Sequence, residues 1–398
     1  MALSSILLWF LAAHQAGQSA SKGSDFAQAW SSVESAIRGR YFARQSRKDE
    51  MEALLAKYAP SAKAAKAEAE FSLAVNRMID DFKDSHFDFF TKEDQGYYAM
   101  DGLIRQRNAA EMPHIGAWFR KDPDGYTVQM VLNGTQAEKS DLRKGDLVLA
   151  VNGRPFSPIS SLGELVGKRA KLKVRRGAAE LEKEVEVAKS AVPTLFLDAT
   201  RDSARIIERD GKKLAYVHLW TMAGEEFRNA LHGLVYGRFR DTDGFLLDIR
   251  DGFGGRPEGF GDPFFRPETS LEWKFGETAG SKQLFGYQRP LVLIVNEGSR
   301  SAKEVFSHIM KRSKRAVLVG STTAGHVLGT FPQRIGDWAY LEIPMVDVIA
   351  DGVRLEGKGV APDIAVPREF DANGKDLFLE RAIEVLLGEI AARNHRAA

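Results

Sequence analysis

Apolar positions recur three and four residues apart through the first quarter of the chain. Residues 25–92 are rich in Ala, Glu, Lys and Arg. The apolar positions in this segment include Phe71, Leu73, Ala74, Met78 and Phe82. This spacing puts apolar side chains on one face of a helix, so it predicts a helical N-terminal region over residues 21–100. Pro60-Ser61 is expected to divide that region into at least two helices.

From about residue 113 the pattern changes to short alternating runs separated by turns. The alternating runs cover 126–131, 170–174 and 181–187. Between them, a turn at Lys144-Gly145 leads into a buried strand that ends at an Asn152-Gly153 hairpin signal. Residues 113–190 are therefore predicted to form a small β domain.

Strands and helices alternate from there to the end of the chain. The predicted strands are 214–219, 244–249, 290–295 and 316–319, and the predicted helices are 225–236, 302–312 and 378–391. Such alternation is typical of an α/β domain, here over residues 195–392. A glycine-rich loop, Gly252 to Gly261, interrupts it. The fold class is thus a multidomain α+β and α/β protein.

Composition excludes several classes of function. The 398 residues include 56 Lys plus Arg against 54 Asp plus Glu, a balance that gives no basic surface for nucleic acid. There are no cysteines, which removes disulfides, thiol catalysis and Cys-ligated metals. No HExxH motif occurs, and the histidines outside the motifs described below are not spaced as metal ligands are. A metalloprotease is therefore disfavoured. We expect neither a metal nor another cofactor.

The first twenty residues indicate where in or outside the cell the protein is located. The apolar run Ile6 to Ala13 is followed by small and polar residues, as in a secretory signal, although no Lys or Arg precedes the run. The alternative is a buried or frayed N-terminal helix. We expect residues 1–20 to be a signal peptide and the protein to be exported, periplasmic or secreted. No other run is long enough for a stable membrane anchor.

The most informative stretch is residues 291–306. A buried strand runs through a tight turn into a helix that begins just after Ser301. A serine there lies near unpaired backbone N–H groups and the positive end of the helix dipole, which suits a nucleophile. On this stretch alone, a serine at 299 or 301 that merely caps the helix is the simpler interpretation.

A second strand, residues 245–249, leads into a turn that contains Gly254-Gly255. Paired glycines leave backbone amides free to point into a cleft, as an oxyanion hole requires. A phosphate-binding loop is the alternative, but the Gly-Lys-Ser/Thr ending and GxGxxG spacing are both absent.

Six motifs now occur in one order along the chain. They are Asp84-Ser85-His86, the Gly145-to-Gly153 run, Asp248-Ile249-Arg250 with Gly254-Gly255, Asn296 to Glu304, Val319 to Gly325, and Glu356 to Asp363. Together they resemble the serine peptidase family that includes the carboxy-terminal processing peptidases and the tricorn core peptidase. The resemblance covers residues 70–390. It implies a helical N-terminal region, a PDZ domain and an α/β core of the ClpP/crotonase-like kind.

By this resemblance Ser301 is the nucleophile, and the backbone amides of Gly254 and Ala302 form the oxyanion hole. The processing branch uses a lysine 25 positions after the serine, but His326 stands there. Its assisting glutamine is replaced by Thr330. A Ser/Lys dyad therefore cannot operate in its usual form. Lys303 does not replace it, because it is expected to point away from Ser301.

The tricorn-like branch instead uses a Ser-His pair ahead of the PDZ domain and a glutamate late in the core. Ser85-His86 and Glu356 match those positions. A neutral imidazole can accept the serine proton near pH 7, and a polar partner can fix its tautomer. The resemblance thus implies His86 as the base, with Ser85 and Glu356 as orienting groups. His326 is the second candidate for the base.

The PDZ resemblance also suggests how substrate is held. Ile115-Gly116-Ala117-Trp118 occupies the place of the loop that binds a peptide carboxylate. A plain β domain without ligand is the alternative.

These features predict an exported serine endopeptidase that acts on proteins or peptides, recognised through a free C-terminus. The rival hypothesis is a noncatalytic protein on the same fold that binds a peptide or small ligand. A third is an esterase or other acyl hydrolase. The oligomeric state is unknown from sequence.

Overall fold

The N-terminal region consists of helices that pack on one face of a small sheet. The computed structural model describes residues 25–278, 280 and 282–397, so the predicted signal peptide, residues 1–20, lies outside it. The elements of this region are α1 (Phe26–Arg40), α2 (Lys48–Lys63), α3 (Glu68–Phe82), β1 (Asp88–Thr91) and α4 (Gln95–Arg105).

Two local predictions in this region are wrong. Pro60 does not separate two helices but lies in the last turn of α2, where it removes only one backbone hydrogen bond near the helix end. The breaks between helices fall at residues 41–47 and 64–67. Residues 88–91, expected to be helical, form β1 because they pair with the distant segment Ala339–Val346.

The middle of the chain forms the predicted small β domain. Its strands are β2 (Glu111–His114), β3 (Ala117–Asp122), β4 (Gly125–Val131), β5 (Leu147–Val151), β6 (Arg154–Pro155), β7 (Arg169–Arg176), β8 (Ala179–Glu186) and β9 (Ala188–Ala191). Two short helices, α5 (Gln136–Lys139) and α6 (Ser160–Gly163), cross it. The main sheet has the order β3-β4-β5-β7-β8, with β6 beside β5, so β3 is an edge strand. Inward-facing residues such as Val148, Leu172 and Val174 form its own core.

The remainder of the chain is the α/β core. Its helices are α7 (Val192–Ser203), α8 (Glu225–Tyr236), α9 (Asp262–Phe265), α10 (Ala302–Arg312) and α11 (Leu377–Ala397). Its strands are β10 (Arg205–Arg209), β11 (Lys212–His218), β12 (Thr221–Met222), β13 (Gly244–Asp248), β14 (Phe253–Gly255), β15 (Thr269–Glu272), β16 (Lys282–Phe285), β17 (Leu291–Val295), β18 (Val317–Gly320), β19 (Gly329–Ile335), β20 (Ala339–Val346), β21 (Ile349–Ala350), β22 (Val353–Arg354) and β23 (Ile364–Ala365).

The central sheet of the core has the order β10-β11-β13-β17-β18-β23. All neighbours are parallel except β10, which runs antiparallel to β11. Every residue of β13 and β17 is buried, as expected for strands covered on both faces. One face packs on α11 through Phe378 and Leu386, and the other packs on α8 and α10 through Leu231 and Phe306. The predicted α/β alternation is confirmed.

A three-stranded sheet, β1-β20-β19, joins the N-terminal helices to the core. Leu341 of this sheet and Trp338 of the turn between β19 and β20 pack with Trp30 and Phe71 of the helices in one buried cluster. Because β1 pairs with β20, the residues that precede β1 are carried from the N-terminal region to the core.

Candidate active site

Three loops meet at the carboxyl ends of the central strands. They are residues 249–255 after β13, 296–301 after β17 and 321–328 after β18. Asn296 joins the first two, because its side-chain oxygen accepts from the Asp251 N–H at 3.1 Å and from the Gly298 N–H at 2.9 Å. Ligand sites of open α/β sheets commonly lie at this edge.

Ser301 immediately precedes α10 and has an unusual backbone. Its φ is 58° and its ψ is −125°. Non-glycine residues held in such regions cost on the order of 1–3 kcal/mol and cluster at functional sites. An ordinary helix cap has extended backbone, so capping alone does not account for this geometry. The residue is half-buried, with the tight strand-turn-helix connection behind it.

Gly254 lies directly against Ser301. A Cβ on residue 254 would fall 2.4 Å from the Ser301 Cβ, 2.8 Å from its Oγ and 3.0 Å from the Ala302 nitrogen. The Phe253 N–H donates to the Trp220 carbonyl at 3.0 Å, which holds the residue before Gly254 against the segment that leads into β12. The structure thus brings Ser301, Gly254 and Ala302 together.

Ser299, the other serine considered as a cap, has a structural place. It is fully buried, and its Oγ donates to the Ile249 carbonyl at 2.9 Å. The same oxygen accepts from the Asn296 N–H at 3.1 Å. Ser299 therefore ties the loop after β17 to the end of β13.

Glu304 organises the site, although it was not among the residues predicted to act there. Its buried carboxylate accepts from the Ser301 N–H at 3.2 Å and from the Thr323 hydroxyl at 2.6 Å. It also accepts from the Gly325 N–H at 2.7 Å and the His326 N–H at 2.8 Å. Ser301 and Glu304 have the spacing of a capping box, which was the available signal. Glu304 fixes the third loop against the start of α10.

His86 lies in the turn before β1. It too has a left-handed backbone, with φ 54°. Its Nδ1 lies 3.2 Å from the Ser85 Oγ, so the two predicted partners are in contact. Desolvation of the half-buried ring, together with the charges of Arg300 and His326, holds the pKa of His86 well below its usual range. The imidazole is therefore neutral near pH 7.

His326 is close to both His86 and Ser301. The ring centroids of His86 and His326 are 6.3 Å apart and their planes are inclined at 75°. The His326 carbonyl accepts from the Ser301 N–H at 2.8 Å, and its own side chain is exposed. The structure thus brings the two candidate bases near each other, with the His326 backbone hydrogen-bonded to Ser301.

Glu356 does not take the place expected for it. Its carboxylate accepts from the N–H groups of Val327 at 2.6 Å and Leu328 at 3.1 Å. Among the described residues it forms no hydrogen bond with Ser85 or His86. Glu356 therefore holds the backbone that follows His326, because its carboxylate faces that turn.

Charged groups surround this cleft. Arg300 stacks over Phe253, with its Cζ 5.3 Å from the ring centroid. Asp88 and Glu342 are direct partners across β1 and β20. Glu342 is buried and accepts from the Thr330 hydroxyl at 2.8 Å. Burial and the Asp88 charge raise the pKa of Glu342.

The predicted carboxylate-binding loop is filled in this structure. Ile115, Gly116, Ala117 and Trp118 are all buried. Gln95 of α4 occupies the β3 edge: its amide nitrogen donates to the Ala117 carbonyl at 3.0 Å, and its oxygen accepts from the Phe119 N–H at 3.0 Å. The loop is therefore not open to a ligand in this conformation.

Metal and membrane features were also considered. Within the described ranges, no group of three or more His, Asp or Glu side chains is placed to hold a metal ion. No helix in that part of the chain combines the length and apolar character needed to cross a bilayer.

Sequence comparisons now add to this geometry. Residues 213–366 match the model of peptidase family S41. A carboxyl-terminal-processing protease of Synechocystis sp. is 22% identical over 313 residues, which cover 73% of this chain and 72% of that protein. A probable CtpA-like serine protease of Staphylococcus aureus is 25% identical over 316 residues, which cover 74% of this chain and 59% of that protein.

Solved structures share the fold. The tricorn protease superposes with a TM-score of 0.56 at 18% identity, over 92% of this chain and 37% of that one. The photosystem II D1 C-terminal processing protease superposes with a TM-score of 0.53 at 18% identity, over 88% of this chain and 96% of that one. The resemblance to serine peptidases is thus confirmed: residues 213–366 match the model of peptidase family S41, and the similar proteins are named as proteases.

Proposed function

We propose that the chain is an endopeptidase that cleaves proteins or peptides through an acyl-enzyme on Ser301. The observation that carries the proposal is the left-handed backbone of Ser301 at the start of α10, with Gly254 packed against its side chain. A strained serine on a strand-turn-helix connection presents its Oγ at the edge of the sheet, as nucleophiles do. A cap or a binding residue has no need of that strain.

The oxyanion hole in this proposal consists of the Gly254 and Ala302 N–H groups. Ala302 is the first residue of α10, where backbone N–H groups have no partner within the helix. Gly254 packs against both the Ser301 side chain and the Ala302 nitrogen, which supports a joint role for the two amides. Donors fixed in this way stabilise the negative oxygen that develops when Oγ attacks a carbonyl.

We assign the base to His86. Its neutral imidazole can accept the Ser301 proton through Nε2 when Nδ1–H donates to the Ser85 Oγ, 3.2 Å away. The same proton then passes to the leaving amine, and water completes hydrolysis of the ester. His326 remains the second candidate, since its backbone is bonded to Ser301. Glu356 acts in this scheme only by holding the segment after His326.

Substrate recognition and location complete the proposal. One relative is named as a carboxyl-terminal-processing protease and another as a probable CtpA-like serine protease, which supports protein or peptide substrates for this chain. The PDZ-like β domain would receive a substrate C-terminus at its β3 edge, once Gln95 has left it. Export is proposed from the apolar run Ile6 to Ala13.

The test is labelling by a fluorophosphonate serine-hydrolase probe. The set comprises wild type, Ser301→Ala, His86→Ala, His326→Ala and the control Ser313→Ala, at the far end of α10. We expect wild type, His326→Ala and the control to be labelled, and Ser301→Ala and His86→Ala to lose labelling by at least about a hundredfold. The same variants are then assayed on an unstructured protein and on a small ester.

Other outcomes point elsewhere. Loss with His326→Ala and retention with His86→Ala would move the base to His326. Turnover of esters with none of peptides would favour an acyl hydrolase. A wild type that neither labels nor hydrolyses, with or without an added peptide, would replace the proposal with a noncatalytic binding protein.

A further inference from the structure

Lys303 is a fully buried lysine two residues after Ser301. Its Nζ lies 2.6 Å from the Asp251 carbonyl oxygen, 3.0 Å from that of Trp220 and 3.4 Å from that of Arg250. Lysines are almost never fully buried unless their charge is compensated, because desolvating an ammonium is costly. Three backbone carbonyls converging on one ammonium therefore call for an explanation.

The three carbonyls belong to the segments that carry Gly254. Arg250 and Asp251 begin the loop that leads to Gly254, and Trp220 immediately precedes β12, the strand that pairs with β14. The Trp220 carbonyl also accepts from the Phe253 N–H at 3.0 Å. One side chain of α10 thus binds the segments that lead into both strands of the small ladder that contains Gly254.

The loop is built closely around this contact. A Cβ on Gly252 would lie 1.9 Å from the Trp220 carbonyl oxygen and 3.2 Å from the Lys303 Nζ. Gly252 also has φ +68°, so the turn requires glycine. Any other residue would push Trp220, Lys303 and the loop apart.

Only the charged form of Lys303 satisfies this arrangement. An ammonium has three N–H donors for three carbonyls, whereas a neutral amine has two and would turn a lone pair towards the third. Burial lowers the pKa of Lys303 to about 7, while the carboxylates of Asp251 and Asp248 oppose the shift and Arg300 adds to it. His218 also faces the group and donates from Nε2 to the Arg250 carbonyl at 2.9 Å.

We propose that Lys303 is a positioning residue that holds the Gly254 amide over Ser301 by binding the carbonyls of Trp220, Arg250 and Asp251. The inference rests on the proposed function, since it concerns the oxyanion hole of that mechanism. Lys303 touches neither substrate nor the reacting atoms. It acts on the step in which the oxyanion forms, so its loss lowers kcat and leaves KM almost unchanged.

The experiment compares Lys303→Met with Lys311→Met, the same change on the same helix at a partly exposed lysine paired with Asp363. Hydrolysis of a p-nitrophenyl ester and of an unstructured peptide is measured between about pH 6 and pH 9 on protein shown to be folded by circular dichroism. We expect Lys303→Met to lower kcat by about 10- to 1,000-fold with KM changed by less than about threefold, and Lys311→Met to match wild type. Wild-type kcat should fall as the pH rises past about 7, and Lys303→Met should lack that fall.

The outcomes separate the two proposals. Wild type without labelling or hydrolysis overturns both. An active wild type with Lys303→Met within about twofold of it in kcat overturns only the positioning role. An increase in KM as large as the loss in kcat also overturns it, in favour of substrate binding. If Lys303→Met does not fold, Lys303→Gln decides: a folded Lys303→Gln with kcat within about twofold of wild type contradicts the proposal.

Discussion

At residue 254 the fold has no room for a side chain. A Cβ there would meet the Cβ and Oγ of Ser301 at 2.4 and 2.8 Å, distances that real Cβ atoms do not adopt. The neighbouring backbone belongs to α10 and to a ladder held by Lys303, so neither side can move freely. The requirement for glycine is therefore local and steric, and it acts on the nucleophile directly.

Gly254→Ala should abolish activity while leaving the rest of the molecule folded. The added methyl displaces the Ser301 side chain and the 254 amide, so we expect fluorophosphonate labelling and kcat to fall by at least about a hundredfold. Gly233→Ala on α8 is the matched control, because a Cβ there meets nothing within 4 Å. That control should be as active as wild type. Equal activity of both variants would show that the 254 amide has no part in catalysis.

At the scale of elements, the pairing of β1 with β20 puts two carboxyl groups opposite each other. Glu342 is buried, and neither it nor Asp88 has a salt bridge within 4 Å among the described residues. Like charges directly across a ladder are unfavourable. The strand that carries His86 to the cleft is thus held in place in spite of this pair, by apolar neighbours such as Phe87 and Phe89.

Glu342→Gln should stabilise the protein at alkaline pH. Because the pKa of Glu342 is raised on folding, the folded state keeps a proton that the unfolded state has already lost, and stability falls as the pH rises above the ordinary glutamate range. At about pH 8 the variant should gain about 1–3 kcal/mol in free energy of unfolding by urea, and near pH 4 the gain should vanish. Glutamine still accepts a hydrogen bond from the Thr330 hydroxyl.

Glu384→Gln, at an exposed pair with Arg381, is the control and should change stability little at either pH. A gain that is the same at both pH values would contradict the assignment.

At the scale of the whole molecule, the β domain contacts the core beside the loop that carries Gly254. Lys144 lies 2.9 Å from Asp251 and 3.0 Å from Glu369, and both carboxylates are mostly buried. Trp118 packs edge-on against Phe253, with ring centroids 5.1 Å apart. The β domain therefore touches the residues on either side of Gly252.

Lys144→Met should weaken the attachment of the β domain. The change leaves Asp251 and Glu369 close together without their shared cation, which we expect to cost about 1–3 kcal/mol in unfolding by urea. Lys139→Met, at an exposed lysine of the same domain, is the control and should unfold like wild type. Identical midpoints for the two variants would mean that solvent, not Lys144, compensates the carboxylates.

Local patterns predicted the local parts of the site well. The helix at 302–312 and the turn at Ser301 follow from apolar spacing and a serine before a helix, and both depend on adjacent residues only. Glu304 was missed because three of its four donors lie in loops brought together by folding, although its capping-box spacing was visible.

The features that were predicted wrongly depend on contacts between residues far apart in the sequence. β1 was taken for helix because its partner β20 lies some 250 residues away, and the helical spacing before it carried over. Glu356 was expected beside His86, yet its carboxylate turns to Val327 and Leu328. The order of motifs along the sequence predicted that Glu356 lies near the site, but it did not predict the direction of the Glu356 side chain.

The position of the Gln95 side chain has a consequence for the proposed binding of a peptide at the β3 edge. Its amide makes the two hydrogen bonds that the N–H and C=O of one residue in an added parallel strand would make at Ala117 and Phe119. An added strand and the Gln95 side chain therefore cannot occupy the β3 edge at the same time. The apparent affinity for the added strand equals its intrinsic affinity multiplied by the fraction of molecules in which Gln95 has left the β3 edge. In the proposed mode of peptide binding, Gln95, a residue outside the β domain, therefore sets the peptide concentration at which binding begins.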